Sequence, residues 1–94
     1  MLLKFSNEVW YWRGPAPFYF VTVPEKESLR IKEISELVTY GWGVIPVSVR
    51  VKDTKWTTSL FPKNGIYLVP VKKAVRLAED IQLGDVVEME VHIQ

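Results

Sequence analysis

Between residues 45 and 71 the chain reads IPVSVRVKDTKWTTSLFPKNGIYLVPV, three strand-like runs separated by very short joints. Joints this short leave antiparallel hairpins as the way for a strand to meet its successor. The first run puts Ile45, Val47, Val49 and Val51 on one face. With Asp53-Thr54 as a two-residue turn, Val51 meets Trp56, Val49 meets Thr58 and Val47 meets Leu60, all on an inner face. On the outer face Lys52 then meets Lys55, Arg50 meets Thr57 and Ser48 meets Ser59. The second joint, Asn64-Gly65, is the strongest hairpin signal in the chain, because a type I′ turn needs two residues tolerant of positive φ. It pairs Phe61 with Leu68 and Leu60 with Val69. Both faces of that hairpin are apolar, which predicts cover on both sides, with a helix as one candidate cover.

The flanking sequence supplies three more strands and two helices. LLKFSNEVWYW alternates, with Leu3, Phe5, Val9 and Tyr11 on one face and Lys4, Ser6, Glu8, Trp10 and Trp12 on the other. RGPAP (13–17) is a loop, since two prolines and a glycine do not suit a central strand. FYFVTV (18–23) is aromatic and β-branched, hence a strand. Pro24, followed by Glu25 and Glu27, suits a helix start, and Ile31, Ile34, Leu37 and Val38 form an apolar stripe. That predicts a helix over about 25–38, with Gly41 as its stop. A short helix is expected over about 72–78. LGD (83–85) makes a tight turn, and VVEMEVHI closes the chain with Val87, Met89, Val91 and Ile93 facing inward. No internal repeat is evident. Six short strands with two helical connections point to a mainly β fold, a closed or pseudo six-stranded β-barrel. Its 94 residues make one domain, 1–94.

Net charge is only +1, but it is unevenly placed. Residues 41–73 carry Arg50, Lys52, Lys55, Lys63, Lys72 and Lys73 against Asp53 alone. Residues 74–94 carry Arg76 against Glu79, Asp80, Asp85, Glu88 and Glu90. A basic middle segment attracts anions or a phosphate backbone. The chain has no cysteine, which excludes disulfides and thiolate metal sites. One histidine and scattered carboxylates give no metal-ligand spacing, and no glycine-rich phosphate loop exists, so neither metal nor cofactor is expected. No run approaches a membrane span, and the first residues lack a signal peptide's pattern; the expectation is a cytoplasmic protein, monomeric or homodimeric.

Thr57, Thr58 and Ser59 are the obvious nucleophile candidates, but a hydroxyl needs a positioned base, and His92 falls on the outer face of the last strand. No catalytic residue is assigned. Thr58 points inward, where its hydroxyl needs either a backbone partner or a ligand. Trp56 reads as core. Trp10 and Trp12 are expected to be half covered, first as cover for the barrel's end or a dimer contact, and alternatively, beside Arg13 and Arg50, as a surface that stacks a base or flat ligand. Lys72 precedes the short helix and is a candidate anion contact; Arg76 is expected to pair with Asp85 or Glu79. The candidate ligand or anion set is thus Trp42, Arg50, Trp56, Thr58, Lys72 and Arg76. A candidate nucleic-acid face comprises Arg50, Lys52, Lys55 and Thr57.

The stretch WTTSLFPKNGIYLVPVKKAVR (56–76) with the later Gly84-Asp85 resembles the signature of the DUF1905 family of small bacterial and archaeal proteins. VWYWRGPAPFYFVTVP (9–24) and GWGVIPVSV (41–49) match the same family. The resemblance covers nearly the whole chain, and it implies no established activity. The second half, GIYLVPVKKAVRLAEDIQLGDVVEMEV, is similar to AbrB/MazE-type units, two of which build a double-split β-barrel that often binds DNA. By that likeness Pro70, Val75, Arg76, Gly84, Asp85 and Val87 fall on recurring positions. Here the first half of the chain is placed to complete the barrel, so DNA binding does not follow from the likeness. The functional expectation is a non-enzymatic binding module for a small ligand or protein partner. The alternatives are a nucleic-acid-binding domain using the basic hairpin and a small enzyme with a pocket near Thr58, Trp56 and Lys72.

Overall fold

The computed structural model describes residues 1–14, 18–38 and 44–93. Its elements are β1 (Leu2–Trp12), β2 (Phe18–Thr22), α1 (Glu25–Val38), β3 (Ile45–Val51), β4 (Thr54–Lys63), β5 (Ile66–Pro70), α2 (Lys73–Ala78) and β6 (Val86–Ile93). The six strands close into an antiparallel barrel in the order β1-β2-β5-β4-β3-β6. Closure leaves no strand edge open for pairing with another chain. Among the described residues no helix is long and apolar enough to cross a membrane.

Two long strands divide the barrel wall. β1 pairs with β6 through residues 2–8 and with β2 through 9–12. β4 pairs with β3 through 54–60 and with β5 through 61–63. The wall therefore consists of sheet I (β6 and β3 with the first parts of β1 and β4) and sheet II (β2 and β5 with their last parts). The bend in β1 is tied down by the tight turn after α2. Val9 N–H donates to Asp85 O at 2.8 Å, and Gly84 N–H donates to Val9 O at 2.9 Å. Gly84 has a φ of +89°, a conformation glycine adopts without steric cost.

Alternation fills the interior as the sequence predicts. Leu3, Val21, Ile45, Val49, Leu60, Val69, Met89 and Val91 are among the side chains almost wholly enclosed, and Trp56 joins them. α1 adds Ile31 and α2 adds Val75 to the same core. The helix expected over 25–38 is present with those bounds, and Ile34 packs against the core. The side chains of Leu37 and Val38, and the Gly41 stop, lie outside the described residues. The short helix begins one residue later than expected, at Lys73, with Lys72 extended before it.

Two expectations are corrected. The β3–β4 turn is Lys52-Asp53, not Asp53-Thr54, so Val51 meets Thr54, Arg50 meets Lys55, Val49 meets Trp56 and Val47 meets Thr58. Lys52 takes the positive φ, +52°. β-branched Thr54 stays in the strand, where its hydroxyl donates to Glu79 Oε2 at 2.5 Å. The slip is two residues, so every side chain keeps its face. The Asn64-Gly65 turn has the expected conformation, with φ of +51° and +80°, and the register Phe61↔Leu68, but the β4–β5 ladder stops there without the expected Leu60–Val69 pair.

The second correction concerns repetition. The element order β-β-α-β occurs twice, as β1-β2-α1-β3 and β4-β5-α2-β6. Exchanging the two halves reproduces the same set of strand neighbours. The local bonds repeat as well. Val23 N–H donates to Tyr67 O at 2.8 Å, and Val71 N–H donates to Tyr19 O at 2.9 Å. Ser28 Oγ donates to Val23 O at 3.0 Å, and Arg76 Nε donates to Val71 O at 3.3 Å. The signal is FYFVTVP (18–24) against IYLVPVK (66–72), a Tyr-x-Val-x-Val pattern too short and diverged to register as a repeat.

Candidate functional site

The inner face of sheet II belongs to the core, but its outer face is also apolar. On β1 and β2, Trp10 stands opposite Phe20 and Trp12 opposite Phe18. Phe20 is the hub. Its ring centroid lies 5.6 Å from Trp10, 6.0 Å from Trp12, 5.7 Å from Phe18 and 6.4 Å, edge-on, from Phe61. Such tilted and edge-to-face pairs are the arrangements aromatic quadrupoles favour. They bury Phe20 on the outside of the barrel, apart from the main core. The surrounding rings stay open: Trp12 is 38%, Phe18 39% and Phe61 42% exposed.

A groove of about 660 Å³ runs between these rings, lined by Trp12, Phe18, Phe20, Phe61, Leu68 and Pro70, together with Thr58, Pro62 and Lys63. Its origin lies in Pro70. The β4–β5 ladder ends at Phe61↔Leu68, whereas β5 continues along β2 to the pair Phe20↔Pro70. Proline has no N–H to extend the ladder toward β4, so the strands part and Thr58 is half uncovered at the split. The Thr58 hydroxyl has no hydrogen-bond partner among the described residues. Lys63 lies over the indoles, its Nζ 4.3 Å from the Trp12 ring centroid and 5.7 Å from that of Trp10. Trp10 is itself fixed, its Nε1 donating to Thr22 Oγ1 at 2.9 Å.

The expected site residues do not converge. Thr58 lines the groove, but Trp56 is enclosed in the core and Lys72 is exposed before α2. Neither Trp56 nor Lys72 is among the described residues that line the groove with Thr58. The Trp56 Nε1 is buried with no hydrogen-bond partner among the described residues. Trp42 lies outside the described residues. Arg76 does not pair with Asp85 or Glu79: its guanidinium stacks 3.7 Å from the Tyr19 ring centroid. Asp85 instead accepts from Gln82 N–H at 2.8 Å, and Glu79 accepts from Thr54. Each carboxylate is held by a nearer donor, so Arg76 takes the aromatic face beside it.

Around Arg50 the basic segment shares its surface with acidic side chains. β6 lies between β1 and β3. Arg50 therefore has Lys55 on one side and Glu90 on the other, and Lys4 Nζ pairs with Glu90 at 3.4 Å. Arg50 Nε also donates to Lys52 O at 2.8 Å. The recess on this side, about 740 Å³, is lined by Lys4, Arg50 and Lys52 but also by Glu79, Asp80, Asp85, Glu88 and Glu90. His92 stands opposite Ser48 on sheet I, and no hydrogen bond among the described residues joins them.

Sequence reasoning placed Trp10 and Trp12 on an outer face but missed Phe18, Phe61 and Lys63 as their companions. The available signal was the two-sided apolarity of the Asn64-Gly65 hairpin, read as a surface awaiting a helix. Its outer side meets Phe20 at one end and opens into the groove at the other.

No curated protein matches the chain. A family model described as a domain of unknown function, DUF1905, matches residues 5–91, from Phe5 in β1 through most of β6. The match takes in nearly all of the barrel, both helices and each described residue lining the groove, and the chain belongs to the DUF1905 family.

Proposed function

We propose that this chain is a non-enzymatic binding domain whose small-molecule ligand lies in the groove on the outer face of sheet II. The observation that carries this reading is the grouping of half-exposed Trp12, Phe18 and Phe61 around one apolar recess. Its volume, about 660 Å³, falls in the range of small-ligand sites. Its lining is mostly hydrophobic with a few polar groups, Thr58 and Lys63, of the kind that orient a ligand. A hydroxyl without a positioned base binds better than it reacts, and among the described residues His92 lies on the other sheet.

The test is a titration of the ¹⁵N-labelled protein with neutral 2-naphthamide. The Trp12 indole N–H and the Phe61 amide are expected to shift, while the indole N–H of enclosed Trp56 stays in place. Replacing both Phe18 and Phe61 with alanine should weaken binding about tenfold, since an aromatic pair contributes roughly 0.5–1.5 kcal/mol beyond its area. Shifts spread evenly over both sheets, or none at millimolar ligand, would remove the reading.

A second reading, nucleic-acid binding by Arg50, Lys52, Lys55 and Thr57, draws support from Arg50 and Lys55 standing side by side. Glu90 beside Arg50 counts against it. A titration with duplex and single-stranded DNA at two salt concentrations separates the readings: phosphate contacts predict affinity that falls steeply with salt.

A further inference from the structure

We infer that the ligand of this groove is a small aromatic carboxylic acid, its flat body between the rings and its carboxylate at Lys63. The inference rests on the groove being the binding site and adds the chemistry of what binds there. The flat body follows from the walls. Trp12, Phe18 and Phe61 each leave more than a third of their surface open, and an arene stacks on such faces better than a flexible chain does. The carboxylate follows from charge. Among the described residues lining the groove, Lys63 is the charged one and no carboxylate is present. Its ammonium rests 4.3 Å from the Trp12 ring centroid, and no ion pair holds it among the described residues. The indole stabilises the cation without neutralising it, so an anionic group beside the rings finds an unmatched charge.

Matched ligands separate body from charge. 2-Naphthoate and 2-naphthamide share the ring system and differ in charge; decanoate keeps the charge without the flat body. Affinities are read from the Trp12 indole N–H shift. At low salt 2-naphthoate is expected to bind about fivefold more tightly than the amide, near the upper end for an exposed ion pair. The gap should shrink at high salt and vanish in Lys63→Met, which keeps a chain over the indole but removes the charge. A second variant tests the wall. A Cβ on Gly14 would collide with the Trp12 indole, so Gly14→Ala should displace that ring and weaken naphthoate and naphthamide alike. Equal binding of acid and amide would overturn the carboxylate while leaving the groove intact as a site. Tighter binding of decanoate than of naphthoate would overturn the aromatic body. Failure of every ligand to move Trp12 would overturn the groove itself.

Discussion

Leu60→Ala should lower the unfolding free energy by about 2–5 kcal/mol, the range for removing an enclosed leucine whose neighbours cannot close the gap. Leu60 is 0% exposed and sits where β4 changes partners. It is the last residue paired with β3, opposite Ile45, and Phe61 begins the pairing with β5. A bend held by ladders on both sides has little freedom to collapse into a cavity. For a domain of this size each kcal/mol shifts Tm by roughly 4–8 °C, so a drop of about 8–40 °C is expected in thermal melts followed by circular dichroism. Phe61→Ala is the control. That neighbour points outward and is 42% exposed, so its loss should cost much less. Similar drops for the two variants would refute the assignment of inside and outside along β4.

A second large effect is expected at Ser28. Its side chain is 1% exposed and holds two elements together. Its hydroxyl donates to Val23 O at 3.0 Å and accepts from Tyr67 N–H at 3.2 Å, linking the first turn of α1 to β5. Ser28→Ala removes both bonds and leaves a buried N–H without its partner. The cost should be about 1–3 kcal/mol, the desolvation penalty of an unmet polar group. The diagnostic readout is amide exchange at Tyr67, which should accelerate more than exchange at Val69 on the same strand. An unchanged rate at Tyr67 would show that its N–H has another partner in solution.

How far the sequence reveals this molecule depends on whether the deciding interaction is local. The faces of β3, β4 and β6 follow from strict alternation, and Trp56 lies inside as that alternation requires. The Asn64-Gly65 turn is legible because its residue types demand one backbone conformation. The neighbouring turn is misplaced by residue type because a contact from Glu79, 25 positions away, holds Thr54 in the strand. The candidate site fares worse for the same reason. Arg50 looks like part of a basic face until β6 brings Glu90 beside it. Arg76 looks like half of an ion pair until Tyr19 arrives from β2. The groove itself depends on Trp12, Phe18, Phe61 and Lys63 meeting across three strands, which no local pattern encodes.

The doubled β-β-α-β order bears on how the chain reaches this state at all. Within either half, the only seam formed is its own hairpin, β1–β2 or β4–β5; the other four of the six seams join one half to the other. A nascent chain that has emerged as far as Val51 therefore holds a lone hairpin, which is marginal in water, and β3 has nothing to pair with. Closure must wait for β6, the final strand, to slot between β1 and β3. Two polypeptides divided at the Lys52-Asp53 turn should each be unstructured and should regain the native circular-dichroism spectrum when mixed. A half that folded on its own would show that assembly is sequential instead.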